Sequence, residues 1–220
     1  MPSYAKDPKL LVGRNKFRVK AYISKITGKL VTNSLGNISK SNIIGYFDKR
    51  DRNLGPTAPP CRTTAFTSQE VGKWKESLPL IISIDKQFKR LIPDRYKIQY
   101  KTCRQTPWYI KNTAFSTVTI NYNWRTALHK DAGDLEEGFG NLVVLEEGKY
   151  DGGCTGFPQY GVCVDVRNGD FLGMDVHEWH CNTEINPISK DYSRLSMVSY
   201  LRKNMIKCRG MELPKPDKNY

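Results

Sequence analysis

The three histidines of this 220-residue chain fall in two short stretches, and one of them is spaced to share a metal ion with an aspartate. His129 and Asp131 are two residues apart at the end of a predicted strand. If the extended conformation continues, positions i and i+2 project to the same side, so the imidazole and the carboxylate point together. A His-x-Asp spacing also arises by chance in surface turns. The pair therefore predicts a metal site only if a third ligand exists.

The third ligand is predicted to be His180. Residues 169–175 read as a tight turn followed by a buried strand, and His180 ends the segment after it. Two histidines and one carboxylate on facing strands form a facial triad, which leaves coordination positions of Fe(II) open for oxygen chemistry. Zinc is the competing metal, but a catalytic zinc site commonly keeps one open position, and nothing else in the sequence suggests hydrolysis.

His177 is the rival third ligand. If the segment stays extended, His177 and Trp179 face away from the side to which His180 points. We therefore expect His180 to bind the metal. His177 is then a substrate-side residue, a neighbour of the ligands, or a structural histidine.

Arg194 and Ser196 share one face of the last clear strand. A guanidinium forms a planar fork that matches a carboxylate, and a hydroxyl adds one more donor. The alternative is an arginine on an exposed strand face. Because Arg194 and Ser196 come shortly after His180 in the sequence, we interpret them as the residues that hold the far carboxylate of a dicarboxylic cosubstrate.

The elements that position these residues are helical first and extended later. Residues 67–70 resemble a helix capping box, with one helix through Trp74 and a second over 80–91, broken near Pro79. From about residue 96 the apolar period alternates as in strands. We expect helices in the N-terminal half and strands at 115–122, 142–145, 160–166, 171–176 and 194–201.

These strands predict an α+β, mainly β protein: a sandwich or jelly roll buttressed by N-terminal helices. In the first strand, Val118, Ile120 and Tyr122 would share one face, opposite Thr117, Thr119 and Asn121. We expect a basic extension over 1–60, packed on or leading into the core, and a catalytic domain over 61–220, together forming one structural domain.

The amino-acid composition favours a polyanionic binding partner. Thirty-five Lys and Arg against 22 Asp and Glu give a formal charge of +13, which favours nucleic acid first and an anionic membrane surface second. No long apolar run or signal peptide is visible, so we expect an intracellular protein of the nucleus, nucleoid or cytoplasm, not bound to membrane. The six cysteines lack a zinc-ribbon spacing and read as scattered reduced thiols.

Two longer stretches resemble a known family. Residues 116–134 (STVTINYNWRTALHKDAGD), and 160–170 (YGVCVDVRNGD) leading into WHCN at 179–182, are similar to the core of the TET/JBP family of DNA-base dioxygenases. Members are double-stranded β-helix (jelly-roll) enzymes that use Fe(II) and 2-oxoglutarate to oxidise the 5-methyl group of 5-methylcytosine or thymine in duplex DNA. The similarity covers roughly residues 60–202, and the chain resembles a minimal single-domain member.

The resemblance assigns roles to individual residues. It implies that His129, Asp131 and His180 bind iron, that Arg194 and Ser196 hold the C5 carboxylate of 2-oxoglutarate, and that Asp134 contacts a base flipped out of the duplex. Arg62 lies beside the matching region and is a candidate for a cosubstrate or phosphate contact. One branch of the family uses ascorbate, which makes it an alternative cosubstrate.

We expect oxidation of 5-methylcytosine to 5-hydroxymethylcytosine first and of thymine to 5-hydroxymethyluracil second. Two other functions are open: a 2-oxoglutarate dioxygenase of a protein side chain or small molecule, and a non-catalytic jelly-roll DNA-binding module. The basic residues of the extension (Lys6, Lys9, Arg14, Lys16, Arg18 and Lys20) would suit phosphate contacts or form a solvated tail. The sequence does not indicate an oligomeric state.

Overall fold

The structure is a computed structural model that describes residues 20–23, 30–33, 41–48 and 60–213. Thirteen strands are present in these ranges, and they are numbered in chain order: β1 Lys20–Ile23, β2 Leu30–Asn33, β3 Ser41–Asp48, β4 Cys61–Thr63, β5 Thr117–Tyr122, β6 Gly140–Glu147, β7 Tyr150–Gly152, β8 Thr155–Phe157, β9 Val162–Val164, β10 Phe171–Met174, β11 Cys181–Asn182, β12 Ile185–Pro187 and β13 Ser193–Tyr200.

In the part of the chain that the structure describes, three α-helices precede most of the strands: α1 Ala65–Gln69, α2 Val71–Leu91 and α3 Pro93–Cys103. The predicted break near Pro79 is wrong, because α2 runs through this residue. A packed helix can tolerate one lost backbone hydrogen bond when its apolar face is buried. The alternation expected from residue 96 is also wrong, since the helix starting at Pro93 continues to Cys103. Short 3₁₀ helices lie at Pro158–Tyr160 and Lys203–Cys208.

The capping box predicted at residues 67–70 is not formed. Thr64 occupies the N-cap position of α1, and Thr67 lies inside this helix. The Thr67 hydroxyl accepts a hydrogen bond from the backbone N–H of Gly45 at 2.8 Å. The side chain therefore ties the helix to β3 instead of capping it.

A six-stranded sheet in the order β10-β6-β13-β5-β3-β4 forms the main layer. The strand β3 pairs antiparallel with β5, so residues 41–48 of the predicted extension are part of this sheet. The remaining residues of the basic stretch lie outside the described ranges, except for the backbones of β1 and β2. Whether a boundary exists near residue 60 stays a prediction.

Two smaller sheets form the second layer. One has the order β11-β8-β9, and the other pairs β12 with β7. The strands β1 and β2 pair with each other in a separate two-stranded sheet. Val144 in β6 packs with Leu142, Val166 and Val164 in a small cluster of apolar side chains. The alternation of side chains along β6 aims these residues away from the helices and towards the smaller sheet.

The other face of the main sheet packs on the helices. Val118 and Met197 join Ile84 and Phe88 of α2 in the largest apolar cluster, and each such buried side chain contributes about 1.5–3 kcal/mol relative to exposure. The predicted face assignment in β5 is confirmed for its central residues, because Val118 faces the helices. The helices therefore stabilise the sheet from behind and leave its front face for a site.

The prediction of six reduced thiols is wrong for one pair. Cys61 in β4 is joined to Cys208 as a disulfide, with their Cα atoms 6.1 Å apart. Their spacing along the chain, 147 residues, gave no sign of it. Cys103, Cys154, Cys163 and Cys181 are free. Within the described ranges, no helix is long and apolar enough to cross a membrane.

Candidate metal and cosubstrate site

His129 and His180 face each other across an antiparallel β-bridge. The backbone N–H of each residue donates to the carbonyl oxygen of the other at 3.0 Å. Their ring centroids are 4.2 Å apart, and both side chains are buried. The two imidazoles, distant in sequence, are thus fixed side by side by main-chain hydrogen bonds.

The Nδ1 atoms of both rings are held in the same way. His129 Nδ1 lies 2.6 Å from the carbonyl oxygen of Ala127, and His180 Nδ1 lies 2.8 Å from that of Glu178. A carbonyl oxygen only accepts, so each Nδ1 donates and each Nε2 carries the lone pair. This is the tautomer that a metal-binding histidine needs, with its outer nitrogen anchored to the protein.

Asp131 supplies the third donor atom. Its backbone N–H donates to the carbonyl oxygen of Val176 at 2.9 Å, and its Oδ1 lies 3.8 Å from His129 Nε2. One donor atom from each of His129, Asp131 and His180 lies within 4.8 Å of the other two. Among the described residues, this is the group of possible ligands whose donor atoms already lie this close together, and its donors are those of a non-haem Fe(II) facial triad.

His177 lies outside this group. Its Nδ1 and its backbone N–H both contact Asp175 Oδ1, at 3.1 Å and 2.9 Å. The extended conformation assumed for this segment does not occur, because the backbone turns where Glu178 N–H donates to the carbonyl of Asp175. The turn separates the two histidines and leaves His180 opposite His129.

Arg194 and Ser196 border the same pocket as the three donor residues. Arg194 is 2% exposed, and its Nη2 donates to the carbonyl oxygen of Gly153 at 3.1 Å. Its Nε has no hydrogen-bond partner, and the guanidinium forms no ion pair with a described carboxylate. A buried charge without an ion pair is costly, so the guanidinium is suited to bind an anion that enters the pocket.

Asp134 is placed in a different environment from the one predicted. It does not line the pocket. Its Oδ1 accepts a hydrogen bond from Arg202 Nη1 at 3.0 Å, and Arg202 also contacts Asp48 at 2.7 Å through Nε. All three side chains are buried. The guanidinium lies directly above Gly133, where an added Cβ would be 2.1 Å from it, so the glycine beside Asp134 is needed for this ion pair.

Arg62 lies on the exposed side of β4, away from the residues that line the pocket. Its guanidinium sits 6.0 Å from the centre of the Phe47 ring. Its predicted contact with cosubstrate or phosphate stays a prediction. Trp179, in contrast, is 39% exposed beside His180, and Lys130 Nζ lies 5.5 Å from its ring centre.

A family model described as the oxygenase domain of the 2OGFeDO superfamily, Tet_JBP, matches residues 42–203. The chain belongs to this family. The predicted TET/JBP membership is confirmed, and so is the predicted mainly β jelly-roll fold.

Two curated relatives of the Tet_JBP chain are thymine dioxygenases by name. JBP1-B of Trypanosoma cruzi (strain CL Brener) is 38% identical over 164 residues, which are 74% of this chain and 19% of the relative. JBP1 of Trypanosoma brucei brucei is 36% identical over 170 residues, covering 76% and 20%. The chain therefore spans about a fifth of the length of these relatives.

A solved structure shares the fold of this Tet_JBP chain. It is described as NgTET1 in complex with 5mC DNA, with a TM-score of 0.57 and 18% identity, covering 76% of this chain and 62% of the other. At this identity the likeness concerns the fold alone.

Several residues of this Tet_JBP pocket were not predicted from the sequence. Tyr200 lines the pocket and shares strand parity with Arg194, so its position could have been predicted from β13. Thr155 and Asn182 also line the pocket, but they belong to the short strands β8 and β11, which are too brief to show a period.

Proposed function

We propose that this chain is an Fe(II)- and 2-oxoglutarate-dependent dioxygenase that oxidises the 5-methyl group of a pyrimidine base in DNA. The observation that carries the proposal is the sharing of one pocket by two kinds of group. One is the set of donor atoms on His129, Asp131 and His180; the other is the buried guanidinium of Arg194, which forms no ion pair with a described carboxylate. Together they fit a metal and a dicarboxylate.

The metal fits the donor set on chemical grounds. Both imidazoles have Nε2 free and Nδ1 anchored, and Asp131 adds one carboxylate. When bound, Fe(II) and 2-oxoglutarate supply the activation of dioxygen, which is coupled to oxidation of the cosubstrate. The protein residues hold the metal on one side and leave the other side accessible to ligands.

The cosubstrate fits the opposite wall of the pocket. Arg194 and Ser196 project from β13 in the same direction, and the smaller sheet covers them through Thr155 and Gly153. The far carboxylate of 2-oxoglutarate would satisfy the guanidinium, and the buried setting strengthens this pairing. Ascorbate has no carboxylate for this pairing, so we favour 2-oxoglutarate.

For the base we propose thymine first and 5-methylcytosine second, which reverses the order expected from the sequence alone. The support is that relatives with 36% and 38% identity carry the name thymine dioxygenase, whereas the structure bound to 5mC DNA shares 18%. A target base must leave the duplex stack to reach the metal. The net charge of +13 favours a polyanionic substrate.

The experiment compares duplexes. The protein would be loaded with Fe(II) without air, then given 2-oxoglutarate, air and a duplex containing either thymine alone or added 5-methylcytosine. Mass spectrometry of the digested bases measures the hydroxymethyl products. We expect 5-hydroxymethyluracil to dominate. No oxidised base in any duplex, with normal iron binding, would contradict the DNA-base proposal.

Two further arms separate the alternatives. Ascorbate in place of 2-oxoglutarate tests the cosubstrate, and we expect no base oxidation with ascorbate alone. Turnover of 2-oxoglutarate without DNA oxidation would point to a protein or small-molecule substrate. DNA retention with no 2-oxoglutarate turnover would point to a non-catalytic binding module.

A further inference from the structure

Three of the four free cysteines gather around one glycine in the sheet beside the pocket, and one of them, Cys181, also lines the pocket. In the sheet β11-β8-β9, Gly156 is paired with Cys163 on one side and with Cys181 on the other. Directly paired residues project to the same face of a sheet, and Cys154 shares that face because it lies two residues before Gly156. Thr155 has the opposite parity and lines the pocket.

The thiols of Cys163 and Cys181 lie beside the space that the missing side chain of Gly156 leaves open. A Cβ at this position would lie 3.6 Å from Cys181 Sγ and 3.9 Å from Cys163 Sγ. Cys154 Sγ lies 3.6 Å from Asp165 Oδ1. Three sulfur atoms and one carboxylate oxygen therefore lie near one another around Gly156.

The register of the sheet disfavours disulfides among these cysteines. Neighbouring strands are about 4.8 Å apart, so Cys163 and Cys181, two strands apart, have Cα atoms about 9.5 Å apart. Cys154 and Cys163 are diagonal neighbours, about 7–8 Å apart. Disulfides need Cα atoms within about 7 Å. A shared metal ion tolerates the longer spacing, since each sulfur only approaches the ion, at about 2.3 Å for zinc.

We propose that Cys154, Cys163 and Cys181 bind a thiophilic divalent cation, zinc by preference, with Asp165 or water as the fourth ligand. Three thiolates and one oxygen are a chemically ordinary zinc donor set. The donor atoms are more widely spread than those of the His129 group, and rotation of the side chains over Gly156 would close them. Asp165 also pairs with Arg167 at 2.7 Å, which makes it the weakest of the four ligands.

The electrostatics of the free site agree with this proposal. Burial raises the pKa of the Cys163 thiol, and the adjacent Cys154, Cys181 and Asp165 raise it further. Groups that become negative together repel each other, and a bound cation relieves that repulsion.

Such an ion would stiffen the wall of the pocket. The strands it joins carry Thr155 and Asn182, and β11 begins one residue after His180. The proposal does not depend on the reaction catalysed in the pocket, since it rests on a different set of side chains.

Cobalt absorption tests this site in the full chain. Co²⁺ bound by cysteine gives thiolate charge-transfer bands in the near ultraviolet, whereas Co²⁺ at the His129 group has no sulfur ligand. We expect these bands in the wild-type protein, their displacement by zinc, and their loss in a Cys154→Ser/Cys163→Ser double variant. Cys103→Ala, which removes a buried cysteine outside the cluster, is the control and should keep the bands.

Three results would overturn the proposal. The first is a wild-type protein without thiolate bands, and the second is bands that survive in the double variant. The third is a second disulfide, formed among Cys154, Cys163 and Cys181, which mass spectrometry of the unreduced protein would show as a mass two hydrogens lower than expected for the Cys61–Cys208 bond alone. If the double variant does not fold, X-ray absorption of the zinc-loaded wild type replaces it. Sulfur neighbours near 2.3 Å then support the site, and only nitrogen and oxygen neighbours refute it.

Discussion

Arg194 donates from Nη2 to the carbonyl oxygen of Gly153 at 3.1 Å, while its Nε is buried without a partner. One edge of the guanidinium is thus held by the backbone between β7 and β8. This contact fixes the guanidinium at the wall of the pocket where we propose that the far carboxylate of the cosubstrate binds.

Arg194→Met should therefore weaken 2-oxoglutarate binding. Methionine fills the buried space without a charge, so we expect KM for 2-oxoglutarate to rise at least about thirtyfold, equivalent to about 2 kcal/mol. Steady-state kinetics measure it. Arg90→Met is the control, because Arg90 is an exposed helix residue bonded to Gln87. An unchanged KM in Arg194→Met would remove this residue from the cosubstrate site.

His180→Ala and His177→Ala form a matched pair. The first removes a donor atom from the group around His129, so we expect loss of tightly bound iron and at least about a hundredfold loss of activity. The second removes a contact to Asp175 only, and activity should stay within about threefold. Iron content of anaerobically loaded protein gives the readout. The opposite pattern would make His177 the third ligand.

The ion pair of Arg202 with Asp48 and Asp134 should contribute strongly to stability. Arg202→Met removes the guanidinium that contacts both buried carboxylates, so we expect a loss of about 3–5 kcal/mol in the free energy of unfolding. Asp134→Asn should cost less, since the amide oxygen still accepts from Arg202. Denaturant unfolding measures both. A loss below about 0.5 kcal/mol for Arg202→Met would show that the pair is not stabilising.

The same Asp134→Asn variant tests the predicted base contact separately. If Asp134 only holds Arg202, the ratio of thymine to 5-methylcytosine oxidation should stay that of the wild type. The buried placement leads us to expect this result. A changed ratio at unchanged fold would restore Asp134 as a base-reading residue.

The buried carboxyl of Asp85 should make the free energy of unfolding depend on pH. Burial raises the pKa of its carboxyl above 3.8, against the opposing hydrogen bonds from Ala114 and Tyr96. Because the folded pKa is the higher one, the folded state binds more protons between the two values, and this contribution is lost as pH rises through the folded pKa. We expect Asp85→Asn to gain stability relative to the wild type as pH increases from about 4 to 7.

Unfolding curves of the two proteins across that pH range check this prediction. Asparagine can still accept from the Ala114 N–H, which lies 2.7 Å from Asp85 Oδ1. A stability difference that does not change with pH would contradict the assignment.

Predictions from the sequence were most accurate in strands long enough to show a clear alternation of side chains. The alternation in β5 and β13 predicted which side chains share a face, and Arg194 and Ser196 do line the pocket. It failed where tertiary contacts decide. Pro79 stays helical because α2 is packed on the sheet. The backbone turns at 175–178, so the extended conformation from which we predicted the direction of the His177 side chain does not occur.

The ion pair of Asp134 shows a different limit. Its partner Arg202 is 68 residues away, and no local pattern links the two. The disulfide between Cys61 and Cys208 and the thiol group around Gly156 are invisible for the same reason. Pairings across a sheet depend on strand register, and strands as short as β8 and β11 contain too few residues for their register to be predicted from sequence.

Oxygen-18 labelling tests the central claim most directly. The iron-loaded protein would be given oxygen-18 gas, 2-oxoglutarate and a thymine-containing duplex, with Asp131→Ala as the control. We predict label in succinate and in the hydroxymethyl group of 5-hydroxymethyluracil, and neither product in Asp131→Ala. Unlabelled succinate, or a labelled base formed equally by Asp131→Ala, would contradict the assignment of this pocket as a dioxygenase centre.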